Sequence, residues 1–318
     1  MKAMVTGATA PLGQAIVEAL ASDPSVEQVL ATGLEAEAPA LPASPKIRYV
    51  SCDLARSRQA RELMNGPVRE LGIEAVFHGP LHRRATDEGE RVHRINVGST
   101  RTLLDLAERH PTITRWVQRS FAPVYRVSAD VPVLIREDHP IHMGTRMPQW
   151  LRDRVEADVT AGMRMGMSQL SIAVLRFAEI LAPSSGSQLH DYLRSRVCYR
   201  PLGYDPMLQL MTLEDGAEAA RLALRSDAEG VFNVPGLDVL PLSEAIRRAR
   251  RRDVPVPGPA LLPLYAARRW ALGTDFGYRL NARRFHFSAV LDGSRAAEVL
   301  GYQPTHWVDW TSVPPIGN

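Results

Sequence analysis

The sequence predicts an α/β protein, a doubly wound parallel sheet with a smaller C-terminal lobe, on three observations. Strand-like and helix-like stretches alternate through residues 1–181, the pattern of a parallel sheet covered on both faces. A glycine-bearing turn, Thr6-Gly7-Ala8-Thr9-Ala10-Pro11-Leu12-Gly13, joins the first strand to the first helix. From residue 182 to residue 318 the elements become short and are broken by Pro and Gly, as in a small lobe interleaved with the main domain at its carboxyl edge. In order, residues 3–6 are an apolar strand and 14–21 a short amphipathic helix. Residues 28–34 are a second strand, 36–45 a Pro/Ala-rich loop, 47–51 a third strand and 55–71 a helix. Residues 75–78 are a fourth strand. Val92, Ile95, Leu103, Leu104, Leu106 and Ala107 recur at helical spacing, so 88–109 is a long helix. Residues 116–118 open a fifth strand, 152–165 are helical and 171–177 are a sixth strand. The lobe offers short elements at 189–197, 208–212, 214–225, 231–234, 242–251 and 259–272.

Composition narrows the function classes. The 318 residues are 45% hydrophobic and 23% charged, ordinary for a soluble globular chain. A net charge of +3 argues for no polyanionic partner such as nucleic acid. Cys52 and Cys198 stand far apart in no metal-ligand spacing, so two free thiols and no metal site are expected. The N-terminal apolar run is too short for a signal peptide, and no run approaches the ~18 apolar residues of a membrane span. The expected location is cytoplasmic.

The glycine turn is the first functional feature. A turn of this kind between a strand and a helix aims backbone N–H groups and the helix N-terminus at a pyrophosphate. Gly7, Ala10, Pro11, Leu12 and Gly13 are therefore the expected pyrophosphate cradle of a dinucleotide. Pro11 pushes Ala10 towards extended geometry and suits the first helical position, but it brings no N–H. The cradle loses one donor and gains a methyl group at Ala10, so weakened binding is expected. Glu35, near the end of the second strand, can accept hydrogen bonds from the adenosine ribose and would repel a 2′-phosphate. NAD is expected in preference to NADP.

Several segments resemble, in order and spacing, the extended short-chain dehydrogenases/reductases of the NAD-dependent epimerase/dehydratase family, which have a Rossmann-type fold. The turn resembles their Gly-x-x-Gly-x-x-Gly, with Ala10 in place of the middle glycine. Cys52-Asp53-Leu54 resembles the segment that touches adenine. Val76-Phe77-His78-Gly79-Pro80 resembles the strand end lying along the dinucleotide, and Asn96-Val97-Gly98-Ser99-Thr100 the start of the long fourth helix. Leu175-Arg176-Phe177, Glu214-Asp215-Gly216-Ala217, Phe232-Asn233-Val234 and Leu300-Gly301-Tyr302-Gln303-Pro304 resemble later landmarks. With Pro255-Val256-Pro257-Gly258, they resemble most a divergent branch similar to UDP-glucose 4-epimerase. The resemblance implies Asp53, Leu54, His78, Gly79 and Asn96 as further cofactor contacts. It also implies a nucleotide-sugar-like substrate and a homodimer formed through helices 88–109 and 152–165.

The resemblance fails at the chemistry. The family uses a Tyr-x-x-x-Lys dyad, yet the only lysines are Lys2 and Lys46, and neither has a tyrosine four residues before it. Alignment places Trp150 at the tyrosine and Arg154 at the lysine. Ser120 is the nearest match to the hydroxyl that polarises the substrate, and Phe121 stands where a second hydroxyl often does. A phenol of pKa ~10 can be drawn down by a nearby cation to shuttle a proton; an indole N–H has no useful acidity. Arg154 can hold ribose hydroxyls, and with them the cofactor, but cannot relay a proton. His82 is the first substitute acid or base, with His78, Glu137, Asp138, His139, His142, Asp153 and Glu156 as weaker candidates. Two readings stand: an epimerase/dehydratase-like enzyme with a non-standard proton donor, acting on an anionic hydroxylated small molecule, or a degenerate NAD-binding sensor or scaffold. The arginines 247, 248 and 250–252, followed by the aromatic 259–272 segment, fit a solvated face, an anion site or, least of all, a membrane surface. Met143, Met147, Met163, Met165 and Met167 are expected to fill core.

Overall fold

The computed structural model describes residues 1–38, 40–80, 82, 84–144 and 147–315, the side chain of residue 272 excepted. Its centre is a seven-stranded parallel sheet built from β1 (Lys2–Thr6), β2 (Gln28–Gly33), β3 (Ile47–Ser51), β4 (Ala75–His78), β5 (Arg115–Phe121), β6 (Ser171–Phe177) and β7 (Gly230–Val234). The spatial order is β3-β2-β1-β4-β5-β6-β7. The chain reverses direction across the sheet between β1 and β4, and ligands of open α/β sheets bind at such a reversal, beyond the carboxyl ends of the strands. Register makes those ends level, because Thr6 pairs with both Thr32 and His78.

Each face of the sheet has its own apolar layer. Leu12, Ile16, Val17 and Leu20 of helix Pro11–Ser22 pack with Ala219, Ala220 and Leu224 of helix Leu213–Arg225 on one side. On the other, Leu63, Met64, Leu103, Leu104 and Ala161 surround Trp116 and Ile172. The helix expected at 55–71 runs as Ser57–Leu63, a wider turn at Met64–Val68 around Pro67, and Arg69–Leu71. Proline removes one backbone donor there, which explains the loosened turn. The long helix expected at 88–109 begins at Glu90–His93, widens through Arg94–Gly98 and ends as Ser99–Ala107. The helix expected at 152–165 starts one turn earlier, as Gln149–Gly162.

The C-terminal part divides its loyalties. Helix Leu213–Arg225, β7 and the turn Ala296–Leu300 pack with the large sheet, while most of the remainder forms a lobe. Asp238–Pro241, Met207–Met211 and Glu179–Ile180 make a three-stranded sheet; Arg252–Val256 pairs with Val197–Pro201, and Val290–Leu291 with Leu134–Ile135. Tyr192 centres the lobe's core, with ring centroids 4.9 Å from Phe285 and 5.1 Å from Phe276. Cys52 and Cys198 are both free and buried. Among the described residues no helix is long and apolar enough to cross a membrane.

Candidate functional site

The glycine turn adopts the geometry its sequence requires. Ala10 is extended (φ −80°, ψ 153°), and Pro11 opens helix Pro11–Ser22. A helix leaves its first four N–H groups without intrahelical partners. Here the Ala10 N–H bonds to the Gly7 carbonyl at 3.1 Å and Pro11 has none, so the N–H groups of Leu12 and Gly13 remain for a ligand. Gly7 sits at φ +72°, where a side chain is strained, and a Cβ there would lie 3.1 Å from the Pro80 nitrogen. A Cβ on Gly13 would lie 2.2 Å from the Gly7 carbonyl oxygen. Only glycine lets helix and turn approach this closely. The Leu12 side chain itself is buried in the core, so its part in the cradle is limited to its backbone.

From this turn a cavity of about 300 Å³ extends along the carboxyl edge towards β2 and β3. Thr9, Glu35, Asp53, Leu54 and His82 line it together with Gly7. Glu35 is exposed, two residues past the end of β2. Asp53 is held by Arg91 at 3.2 Å and Arg56 at 3.3 Å. The structure thus brings Gly7, Ala10, Glu35, Asp53 and Leu54 together around a space that could hold the adenosine end of a dinucleotide.

A separate, smaller space lies at the ends of β5 and β6. Arg119, Phe121, Trp150 and Arg154 wall a recess of only about 30 Å³ with Glu179 and Ser187. The Arg119 guanidinium lies 4.7 Å from the centre of the Phe121 ring, and that of Arg154 4.5 Å from the same ring and 3.9 Å from the Trp150 ring. Trp150 and Arg154 do meet, as the dyad alignment requires, but as a cation–π stack. Burial lowers the pKa of both arginines, Arg154 to about 9, with the charge of Arg119 as second cause, and Arg119 to about 10. Both remain cations at neutral pH.

Three expected site residues have other partners. Ser120 points to the opposite side of β5 from Arg119 and Phe121, because successive strand side chains alternate. Its hydroxyl donates to Asp158, whose carboxylate also accepts from Arg176 at 2.6 and 2.9 Å, all three residues being buried. A substrate-polarising role does not fit that placement. His82 lies in the adenosine-side cavity, 2.7 Å from Asp87, rather than in the recess with Trp150 and Arg154. His78 is 1% exposed, a core residue rather than a cofactor contact. Ser99 gives its proton to the Ile95 carbonyl at 2.5 Å, so His78 Nε2 carries the imidazole proton towards Ser99 and Nδ1 accepts from Thr6 at 3.0 Å. Desolvation pushes its pKa down to about 3. Gly79 is dictated by packing, since a Cβ there would meet the Phe77 ring at 2.6 Å. Asn96 is a brace: its Oδ1 accepts the His82 N–H at 2.9 Å and its Nδ2 donates to Asp153 at 3.1 Å.

The recess adjoins a larger cleft of about 370 Å³ between sheet and lobe, with Pro123 and Trp150 lining both. Arg279, Arg283, Arg284 and His142 line the cleft, and no described carboxylate does. Arg284 is paired with Glu179 at 2.8 Å. Burial and the charge of Arg283 lower the His142 pKa, which keeps that imidazole neutral. Tyr125, also in the lining, has its pKa pushed up to about 12 by burial and gives its hydroxyl proton to Asn233 at 2.7 Å.

The remaining candidates resolve into structure. Glu137 accepts the Asn233 N–H at 2.9 Å, and His139 bonds to the Arg126 carbonyl at 2.9 Å. His93, Asp153 and Glu156 bring possible metal-ligand atoms within 4.8 Å of one another, but Asp153 is engaged by His93, Asn96 and Gln149, and Glu156 by Arg101. In the basic patch Arg247 and Arg248 pair with Glu244, and Arg251 bonds to backbone carbonyls. Met143, Met163 and Met167 are exposed rather than core residues, whereas Met147 lines the cleft. Sequence reasoning missed Arg119 and the 279–284 arginines. Strand alternation could have found the first, since Arg119 and Phe121 must share a face that excludes Ser120; the second group reaches the cleft only through the fold of the lobe.

Comparison with known proteins agrees with this fold. A model of the "NAD dependent epimerase/dehydratase family" matches residues 3–194. An uncharacterized protein of Mycobacterium tuberculosis is 30% identical across 98% of this chain and 81% of its own length. Among solved structures, the chain is similar to a Thermotoga maritima UDP-glucose 4-epimerase with UDP-glucose (TM-score 0.71, 15% identity, 98% of this chain and 96% of that one). It is also similar to a Bacillus cereus UDP-glucuronic acid 4-epimerase in complex with UDP-glucuronic acid and NAD (0.71, 14%, 98% and 96%). A Bacillus anthracis dTDP-glucose 4,6-dehydratase in complex with NAD shares the fold at 0.69 and 15%, over 96% and 92%.

Proposed function

The chain belongs to the NAD-dependent epimerase/dehydratase family, and from that premise we propose that it is a ligand-binding member that has given up the family's proton relay. In this reading it holds NAD by its adenosine diphosphate end and takes an anionic, nucleotide-like small molecule in the arginine-lined cleft. The observation that carries the reading is the contrast between two spaces: about 300 Å³ lined from Gly7 to Leu54, and only about 30 Å³ where Trp150 and Arg154 stand at the dyad positions. The Leu12 and Gly13 N–H groups and the helix N-terminus would hold the pyrophosphate. Glu35 would accept from the ribose hydroxyls and disfavour NADP, and Asp53 and Leu54 would flank the base. A bound nicotinamide would supply hydride exchange, and neither Trp150 nor Arg154 could pass the accompanying proton. Arg279 and Arg283 supply the positive charge that an anionic ligand needs. The same reading retains a homodimer through helices 88–109 and 152–165.

A second reading has one observation in its favour. His142 stands in the cleft as a neutral imidazole and could accept a proton from a substrate hydroxyl, as in an active enzyme with a non-standard base. One experiment separates the two. The purified chain is titrated calorimetrically with NAD and NADP, then incubated with NAD and nucleotide sugars while nicotinamide absorbance and product epimers are followed. Heat with NAD, weaker heat with NADP and no turnover support the binding reading. Turnover that disappears in His142→Asn supports the enzyme. Absence of heat with either coenzyme overturns the cofactor assignment.

A further inference from the structure

We propose that the recess walled by Arg119, Phe121, Trp150 and Arg154 is a carboxylate-recognition site, which receives a planar carboxylate carried by the ligand of the neighbouring cleft. This rests on the reading of that cleft as an anion site. Arg119, Arg154 and Trp150 are only 8%, 5% and 7% exposed, and Arg119 Nε, Arg154 Nε and Trp150 Nε1 have no hydrogen-bond partner among the described residues. The three residues that carry these donors line one small space. Each guanidinium is fixed by one Nη1 contact, Arg119 to the Gly79 carbonyl at 3.4 Å and Arg154 to the Trp150 carbonyl at 3.1 Å. The stack on Phe121 and Trp150 holds their faces and leaves donor edges to be satisfied.

The nearby acids, Glu179 and Asp153, act on Arg154 through their charge but are themselves engaged by other donors. Glu179, the acid in the recess wall, accepts from Arg284 at 2.8 Å, the Ser187 hydroxyl at 2.5 Å and the Leu189 N–H at 3.4 Å. Asp153 is engaged by His93, Asn96 and Gln149. Two buried guanidinium groups with no carboxylate hydrogen-bonded to them among the described residues are costly, and an arriving anion that bonds to them lowers that cost. The lowered pKa values of both arginines reflect the same desolvation. Size selects among anions: a space of about 30 Å³ holds roughly two waters, which suits the oxygens of a carboxylate better than a tetrahedral phosphate. Arginine forks match a carboxylate bidentately. Because Pro123 and Trp150 line both spaces, a ligand in the cleft can present its carboxylate to the recess.

The test uses thermal unfolding of the full chain at constant ionic strength, in sodium D-glucuronate against sodium chloride with D-glucose. With the probe at about ten times its Kd, the wild type should gain about 2–4 °C. Arg119→Met keeps an apolar stem on Phe121 and should lose the gain. Trp150→Phe keeps a ring under Arg154, loses the indole donor, and should weaken glucuronate binding several-fold by calorimetry. No glucuronate-specific gain in the wild type, or equal gains in wild type and Arg119→Met, overturns the proposal; if Arg119→Met does not fold, unchanged glucuronate affinity in Trp150→Phe does so. A parallel UDP titration scores the cleft separately. UDP binding should vanish in Arg279→Gln/Arg283→Gln and survive in Arg119→Met. Absence of UDP binding to the wild type overturns the cleft reading, and a glucuronate failure beside intact UDP binding overturns the recess alone.

Discussion

Lowering the pH isolates one buried group, His78. Desolvation pushes its native pKa down to about 3, well below the 6.5 of a free imidazole. No charged group contributes; Thr6, Ser99 and the Trp116 ring surround it. The unfolded chain binds a proton at this position below pH 6.5 and the native state refuses it until near pH 3. Stability is therefore at its full value above that window and falls as pH drops through it. Between pH 7 and pH 5 the loss from this residue is about 2 kcal/mol, and across the whole window about 5 kcal/mol. The assay is urea unfolding at pH 7 and pH 5 for the wild type and for His78→Gln, which can still bond to Thr6 and Ser99 but does not titrate. Contributions from carboxylates common to both proteins cancel in the difference. The wild type should lose about 2 kcal/mol more than the variant. Parallel losses within about 0.5 kcal/mol would show that His78 is hydrated or paired, and the core assignment would fall.

Two further substitutions probe the site's frame. Gly13→Ala forces a methyl to within 2.2 Å of the Gly7 oxygen, so the turn must shift and misalign its two free N–H groups. NAD affinity measured by calorimetry should fall roughly 5- to 100-fold, with a stability cost of about 1–3 kcal/mol; unchanged affinity would remove the turn from the cofactor site. Ser120→Ala takes one donor from buried Asp158 while Arg176 remains. It should cost about 1–2 kcal/mol in chemical unfolding and leave NAD and UDP affinities unchanged, whereas a loss of ligand binding at unchanged stability would return Ser120 to the cleft.

The order of elements was legible because its signals are local. Apolar periodicity marks helix and strand within a dozen residues, and Gly7, Pro11 and Gly13 carry their backbone requirements in their own covalent structure. The same locality exposed the missing dyad, since two lysines without neighbouring tyrosines exclude it on any fold. Side-chain direction at a strand end was harder to read. Ser120 and Arg119 are adjacent in sequence, yet the pleat sends one to Asp158 and the other to the recess. His78 and His82 offered the same imidazole to chemistry, and only burial among Thr6, Ser99 and Trp116 distinguishes a neutral core residue from a cavity wall. What the chain by itself determined was its alternation, its turn and its chemical deficit. Which cations are buried together, and which spaces they share, depended on contacts between residues as distant as Arg119, Arg154 and Arg283, because charge and desolvation act through space rather than along the sequence.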